Sequence, residues 1–216
     1  MVDTVNMNSS RSASPARPYH HGRLREGLVE AGLELARAGG PDAVVLRAVS
    51  RQAGVSHNAA YRHFADHREL LAAVSSRCMH ELGLLMDRRV SEVGEVEGAE
   101  RARASFAAIG RAYIEFALSE PGWFRTAFAG VALEGLPEWK ETEGLLDPYA
   151  MLGARLDELV AAGILPVERR PGAEYAAWSA VHGLATLLVE GPLRTLPPEE
   201  VERALQMVLG VVSRGI

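Results

Sequence analysis

The sequence predicts an all-α protein, long enough for one large domain or a small domain joined to a larger one. Three observations carry that expectation. Apolar residues recur at helical spacing along most of the chain, no period-2 alternation of any length occurs, and Gly and Pro fall where helices would end. The 216 residues show no internal repeat.

Each element can be justified in order. Residues 1–18, MVDTVNMNSSRSASPARP, are rich in Ser and Pro without periodicity, and are expected to be a disordered tail. From Gly22 the pattern is helical: Leu24, Leu28, Ala31 and Leu35 share a face, and Gly39-Gly40-Pro41 ends the run. Gly27 and Gly32 inside it each cost about 1 kcal/mol relative to alanine. A short second helix is expected over 46–53, with Leu46, Val49 and Ala53 inward. Gly54 suits a left-handed turn, Val55 can tuck into the core, and Ser56 is a good N-cap for a third helix over 57–64.

Asp66 can cap a fourth, longer helix running to about Val93 through Leu70, Leu71, Val74, Met79, Leu82, Leu85 and Met86. Further helices are expected over about 97–119, 121–130, 145–162, 172–190 and 198–213. Gly122, Pro137, Pro148, Gly163, Pro166, Pro171-Gly172, Gly191-Pro192 and Pro197-Pro198 punctuate them.

Composition bounds the function. Apolar residues make up 48% and charged residues 24%, an ordinary globular balance. Apolar runs fall short of the length needed to span a membrane, and the N-terminus lacks a basic-then-apolar leader, so a cytoplasmic protein without membrane partners is expected. The lone Cys78 forms no intrachain disulfide and no thiolate cluster, and is read as packing.

The net charge of −5 hides an asymmetry. Residues 11–77 hold ten arginines against six acids, a balance of +4, and five of the seven histidines. Residues 78–216 hold thirteen Lys and Arg against twenty-one acids, a balance of −8. Phosphate binding needs a local basic face and not a basic protein.

A short helix, a Gly-containing turn and a second short helix is the helix-turn-helix arrangement. Its second helix enters the DNA major groove, so one face packs while the other reaches bases and phosphates. On a helix over 57–64, Ala60 and Phe64 pack inward, while His57, Asn58, Tyr61, Arg62 and His63 remain outside. Asn58 suits adenine, Arg62 guanine or phosphate, and Tyr61 a phosphate; Ala59 permits close approach to a base edge. His57 and His63 can donate to either target, and the amides near Ser56 can meet phosphate. The same spacing also fits a small helical connector with a solvated face.

The stretch RAVSRQAGVSHNAAYRHFADHRELLAAV, residues 47–74, closely resembles the DNA-binding region of the TetR family of transcriptional regulators. YHHGRLREGLVEAGLELARAGG, residues 19–40, resembles that family's first helix. EPGWFRTAF, residues 120–128, and WSAVHG, residues 178–183, resemble a subgroup with a Trp-His-Gly signature in its C-terminal domain. The resemblance implies a helix-turn-helix DNA-binding domain over 19–66 and a ligand-binding and dimerisation domain over 67–216. It implies double-stranded DNA, a second copy of the chain and a small apolar or amphipathic effector as partners, and no cofactor. Arg47 and His67 join the DNA-contact candidates. The sequence departs from the family in two places: Val44-Val45 stand where Thr or Ser commonly caps the second helix, and His67 stands where a lysine commonly contacts phosphate.

Other constellations are weaker. His63 and His67, or His20-His21, lack the further ligands that zinc requires, so no metal site is expected. No nucleophile, base and orienting acid can be placed together, so no enzyme is expected. His182 shares a stripe with Trp178, Ala185 and Val189, and is either a core histidine or a contact in an effector pocket. Phe106, Tyr113, Trp123, Phe124, Phe128 and Met151 suit a core, and in the family context some of them line a cavity. The resemblance implies dimerisation through the last two long helices, about 172–190 and 198–213. On the last of them Val201, Ala204, Leu205, Val208, Leu209 and Val212 form a stripe, expected to be a dimer seam rather than a cap on the monomer core.

These features predict a ligand-responsive repressor that binds an inverted repeat as a homodimer. The alternative is a helical small-molecule-binding or enzymatic protein with a vestigial head. Steep loss of DNA affinity with salt separates the two.

Overall fold

The computed structural model describes residues 20–129 and 145–215. The expectations for the 1–18 tail and for Pro137 lie outside them. Among the described residues there are nine α-helices and no strand. They are α1 His20–Gly39, α2 Leu46–Gln52, α3 His57–Tyr61, α4 His67–Ser91, α5 Gly98–Ser119, α6 Pro121–Ala129, α7 Pro148–Ala161, α8 Ala173–Val189 and α9 Pro198–Gly215. Two short 3-10 turns, Pro41–Ala43 and Val167–Arg169, were not foreseen. No described helix is long and apolar enough to cross a membrane.

The caps explain the boundaries. Ser56 accepts from the Ala59 amide at 3.2 Å and opens α3, and Gly54 just before it has φ +68°. Asp66 accepts from the Glu69 amide at 2.9 Å, and the Glu69 carboxylate accepts from the Ala65 amide at 2.7 Å. These reciprocal bonds satisfy donors that the start of α4 would otherwise leave open. Asp147 accepts from the Tyr149 amide at 2.8 Å, so α7 starts at Pro148 and not near 145. Val45 precedes α2 with no side-chain cap, while Val44 is buried beside it.

The α3 helix is shorter than expected and ends at Tyr61. Its last turn tightens: the Arg62 amide bonds to Ala59 O at 3.3 Å and the His63 amide to Ala60 O at 2.9 Å. That turn drops Phe64 into the core and frees Asp66 to cap α4.

One hydrophobic cluster runs from Leu28 and Val49 through Phe64, Leu70, Leu82 and Ile114 to Leu188 and Val212. The α4 helix packs against α1, α5, α6 and α7, and α8 lies between α5 and α9. Gly32 has a packing reason: a Cβ there would stand 2.6 Å from Val74 Cγ2, where α1 meets α4. Burial pushes the Cys78 thiol up to about 12, so it sits in the core as an inert apolar group.

The stripe on α9 faces its own chain. Leu205, Leu209 and Val212 are all buried in the monomer, Leu205 being only 5% exposed, which corrects the expectation that they form a dimer seam. An apolar stripe seeks the nearest apolar surface, and α5 and α8 supply one within the same chain. The exposed apolar side chains of α9 are Met207 at 66% and Val211 at 62%, on the opposite side.

Candidate nucleic-acid interface and effector cavity

The buried pair Ala60 and Phe64 seats the α3 segment on the core, and its remaining side chains point outward. Ser56, His57, Asn58, Tyr61 and Arg62 are exposed, while Ala59 and His63 are half-buried. The rings of His57 and Tyr61 meet edge-on at 4.7 Å, so the first and last residues of α3 brace each other. Arg47 near the start of α2 and His67 at the start of α4 are both exposed on the adjoining helices. The surface can therefore offer an amide, a guanidinium, a phenol and imidazoles to a duplex from one short rigid platform.

A second constellation lies in the larger part of the chain. Tyr113 of α5 is buried, and its hydroxyl stands 2.7 Å from Nδ1 of His182 and 3.2 Å from the indole Nε1–H of Trp178. Phe128 lies 4.7 Å and Phe124 5.6 Å from the His182 ring, centroid to centroid. Tyr149 stands 5.7 Å from Trp178. Burial holds the His182 imidazole below its ordinary pKa and pushes the Tyr113 phenol above its own. For His182 that direction favours the neutral imidazole.

Five of the expected cavity residues meet here: Tyr113, Phe124, Phe128, Trp178 and His182. Phe106 lines a neighbouring apolar gap of about 40 Å³, shared with Tyr113, Val181 and Leu209. Met151 is half-buried beside the core, next to Leu152, which reaches the same gap. Two wider surface clefts, of about 440 and 570 Å³, are rimmed by ion pairs such as Arg77–Glu30 and Arg111–Glu202. They lack the converging rings of the aromatic cluster.

Trp123 is elsewhere. Its indole N–H donates to the Leu33 carbonyl of α1 at 2.9 Å, its ring stacks on Phe116, and the Arg37 guanidinium lies over it at 5.1 Å. Arg37 also pairs with Glu120, its Nε donating at 2.7 Å. Gly122 completes the contact: a Cβ there would stand 2.3 Å from the carbonyl oxygens of both Ala36 and Arg37. One side of α6 is thus keyed into α1, while its Phe124 and Phe128 join the aromatic cluster. The Thr126 carbonyl accepts from the Ser75 hydroxyl at 2.7 Å, which ties α6 to α4 as well.

Sequence reasoning missed Tyr149 and the Arg37–Glu120 pair. The pair joins residues 83 positions apart, and nothing local marks either partner. Among the described residues no group of three or more His, Cys, Asp or Glu could hold a metal ion.

Comparison with known proteins gives a consistent picture. The pattern described as "Bacterial regulatory proteins, tetR family" matches residues 28–74, and "Tetracyclin repressor-like, C-terminal domain" matches residues 106–212. A protein of unknown function from Rhodococcus sp. RHA1 is 29% identical, covers 93% of this chain and 99% of its own, and superposes with a TM-score of 0.64. RolR in complex with resorcinol is 13% identical over 93% of this chain and 90% of its own, with a TM-score of 0.64. A variant of TetR from Acinetobacter baumannii AYE in complex with minocycline is 18% identical over 88% of this chain and 94% of its own, with a TM-score of 0.61. At these two identities the likeness is one of fold. No functionally curated protein matches the sequence.

Proposed function

The chain belongs to the TetR family of transcriptional regulators, and from that premise we propose that it is a cytoplasmic, ligand-responsive repressor that binds an inverted-repeat operator as a homodimer. The observation that carries this reading is the α3 platform, where Asn58, Tyr61 and Arg62 stand exposed above the buried Ala60 and Phe64. Residues 19–66 act as the DNA-binding head and 67–216 as the effector and dimerisation domain.

Replacing Arg62 by Ala or Tyr61 by Phe should weaken operator binding while leaving the circular dichroism and melting temperature unchanged, since both side chains face outward. If Arg62 reads guanine, its loss should cost about 1–3 kcal/mol and relax preference at one position per half-site. A uniform loss over all sequences would assign it to phosphate. Fluorescence anisotropy with operator and mutated operator separates the two, and wild-type binding by both variants would remove α3 from the interface.

The dimer reading rests on α8 and α9. From Tyr175 to Val189 there is no Asp, Glu, Lys or Arg, although Tyr175, Ala176, Ser179, Gly183 and Leu187 are exposed. A surface without charge over four helical turns suits a helix of a second copy better than water. Met207 and Val211 extend the apolar surface on α9.

Response to an effector needs a link between cavity and head, and α6 supplies one. A molecule that displaces Phe124 or Phe128 shifts α6, and α6 carries α1 with it through Gly122, Trp123 and the Arg37–Glu120 pair. The effector must favour one head position over the other to have any effect. Small-molecule ligands are present in two solved proteins of this fold.

A further inference from the structure

The bonds around Tyr113 determine where the protons lie. An indole N–H only donates, so Trp178 gives its proton to the Tyr113 oxygen. The Tyr113 hydroxyl has one proton of its own, and the acceptor in reach is His182 Nδ1, at 2.7 Å. The reverse assignment, with Nδ1–H donating, would load two donors on the phenol oxygen and leave a buried hydroxyl proton unpaired. His182 is therefore held as the Nε2–H tautomer, oriented from behind by Tyr113 and Trp178. Among the described residues nothing bonds to its Nε2.

We propose that this relay makes His182 a fixed hydrogen-bond donor to an uncharged aromatic effector bearing an oxygen acceptor, such as a phenol or an aryl ketone. The proposal rests on the effector-site reading above and specifies its ligand. Phe128, Phe124 and Trp178 flank the imidazole at 4.7, 5.6 and 6.3 Å, which favours a flat ring over a branched aliphatic one. No Asp, Glu, Lys or Arg side chain hydrogen-bonds to His182, Tyr113 or Trp178 among the described residues. The Glu190 carboxylate acts on His182 through space without a hydrogen bond, so a buried charged ligand would lack a bonded counter-ion. The neighbouring gap of about 40 Å³ is too small for a ring, so an occupant must move a side chain. Displacement of Phe128, half-buried near the end of α6, would bear on the helix that holds α1.

The test is titration calorimetry on the free full-length protein with 2-naphthol, naphthalene and the 2-naphthylmethylammonium cation, which share one ring system. 2-Naphthol should bind about tenfold more tightly than naphthalene, the ratio expected for one hydrogen bond to a held donor, and the cation should bind least. His182→Phe should erase that advantage, bringing the naphthol and naphthalene affinities together. Tyr113→Phe should reduce it, because Tyr113 acts through His182 as a positioning residue. Long-range proton–nitrogen NMR should show His182 as the Nε2–H tautomer in the native chain and as a mixture in Tyr113→Phe.

Equal affinity for naphthol and naphthalene, preference for the cation, or no binding by any of the three would overturn the ligand class. An Nδ1–H or doubly protonated His182 at neutral pH would overturn the relay, and that measurement stands even if His182→Phe fails to fold. These readouts involve no DNA. Their failure beside intact operator binding therefore removes the ligand assignment alone, whereas absent operator binding would count against the regulator reading itself.

Discussion

Gly122→Ala should melt well below the native protein and respond poorly to effector. The added methyl would stand 2.3 Å from the carbonyl oxygens of Ala36 and Arg37, and neither is a flexible side-chain end. The helices α1 and α6 must separate, and overpacking of this kind costs about 1–3 kcal/mol. For a chain of this size that corresponds to a fall of roughly 3–10 °C in melting temperature. Moving α6 off α1 also strains the Trp123 bond to Leu33 and the Arg37–Glu120 pair, which the coupling requires. The ratio of operator affinities with and without effector should shrink toward one. Gly27→Ala is the control: it lies on α1 with nothing within 4 Å of the added atom, and should stabilise by up to about 1 kcal/mol through helix propensity. A Gly122→Ala protein with native melting and native effector response would show that α6 does not grip α1.

Leu187→Glu combined with Met207→Glu should convert the dimer to a folded monomer. Both side chains are substantially exposed in the single chain, at 43% and 66%, so the monomer loses little by the change. In an isologous seam the same substitutions would place four carboxylates against apolar surface, and stranded charges there cost several kcal/mol. Sedimentation should report half the native mass with unchanged helical content, and operator binding should weaken and lose cooperativity. Leu205→Glu makes the opposite prediction: that side chain is buried in its own chain, so the protein should unfold rather than dissociate. A double variant that remains a dimer with native operator affinity would place the seam elsewhere.

The contrast between Leu205 and Met207 shows where the sequence is readable and where it is not. Helix positions follow from spacing and from Gly and Pro, and Ser56 and Asp66 cap α3 and α4 as their side chains allow. A regular stripe such as Leu205, Leu209 and Val212 announces burial but not the partner, and here the partner is the same chain. The uncharged outer face of α8 fits the proposed seam better, because a monomer surface would ordinarily carry charge there. In the head, the division into Ala60 and Phe64 inside with Asn58, Tyr61 and Arg62 outside was legible, because a short helix has only two faces to assign. In the larger domain, Trp123 and Trp178 look alike as sequence, yet one binds α1 and the other joins the His182 cluster. Their roles are set by partners more than 60 positions away, Leu33 at 90 and Tyr113 at 65, which no local pattern encodes.

The central claim is that two α3 platforms, related by a two-fold axis, read a duplex. Selection of binding sites by the purified protein from random double-stranded DNA tests it most directly. The account predicts enrichment of one inverted repeat, with half-site centres about 10–10.5 base pairs apart or a multiple of that, as successive major grooves on one side of the duplex require. Affinity for it should fall steeply with salt, and Arg62→Ala should bind it more weakly than the native protein. Failure to enrich any sequence at low salt, or enrichment of a sequence with no inverted repeat, would contradict the account.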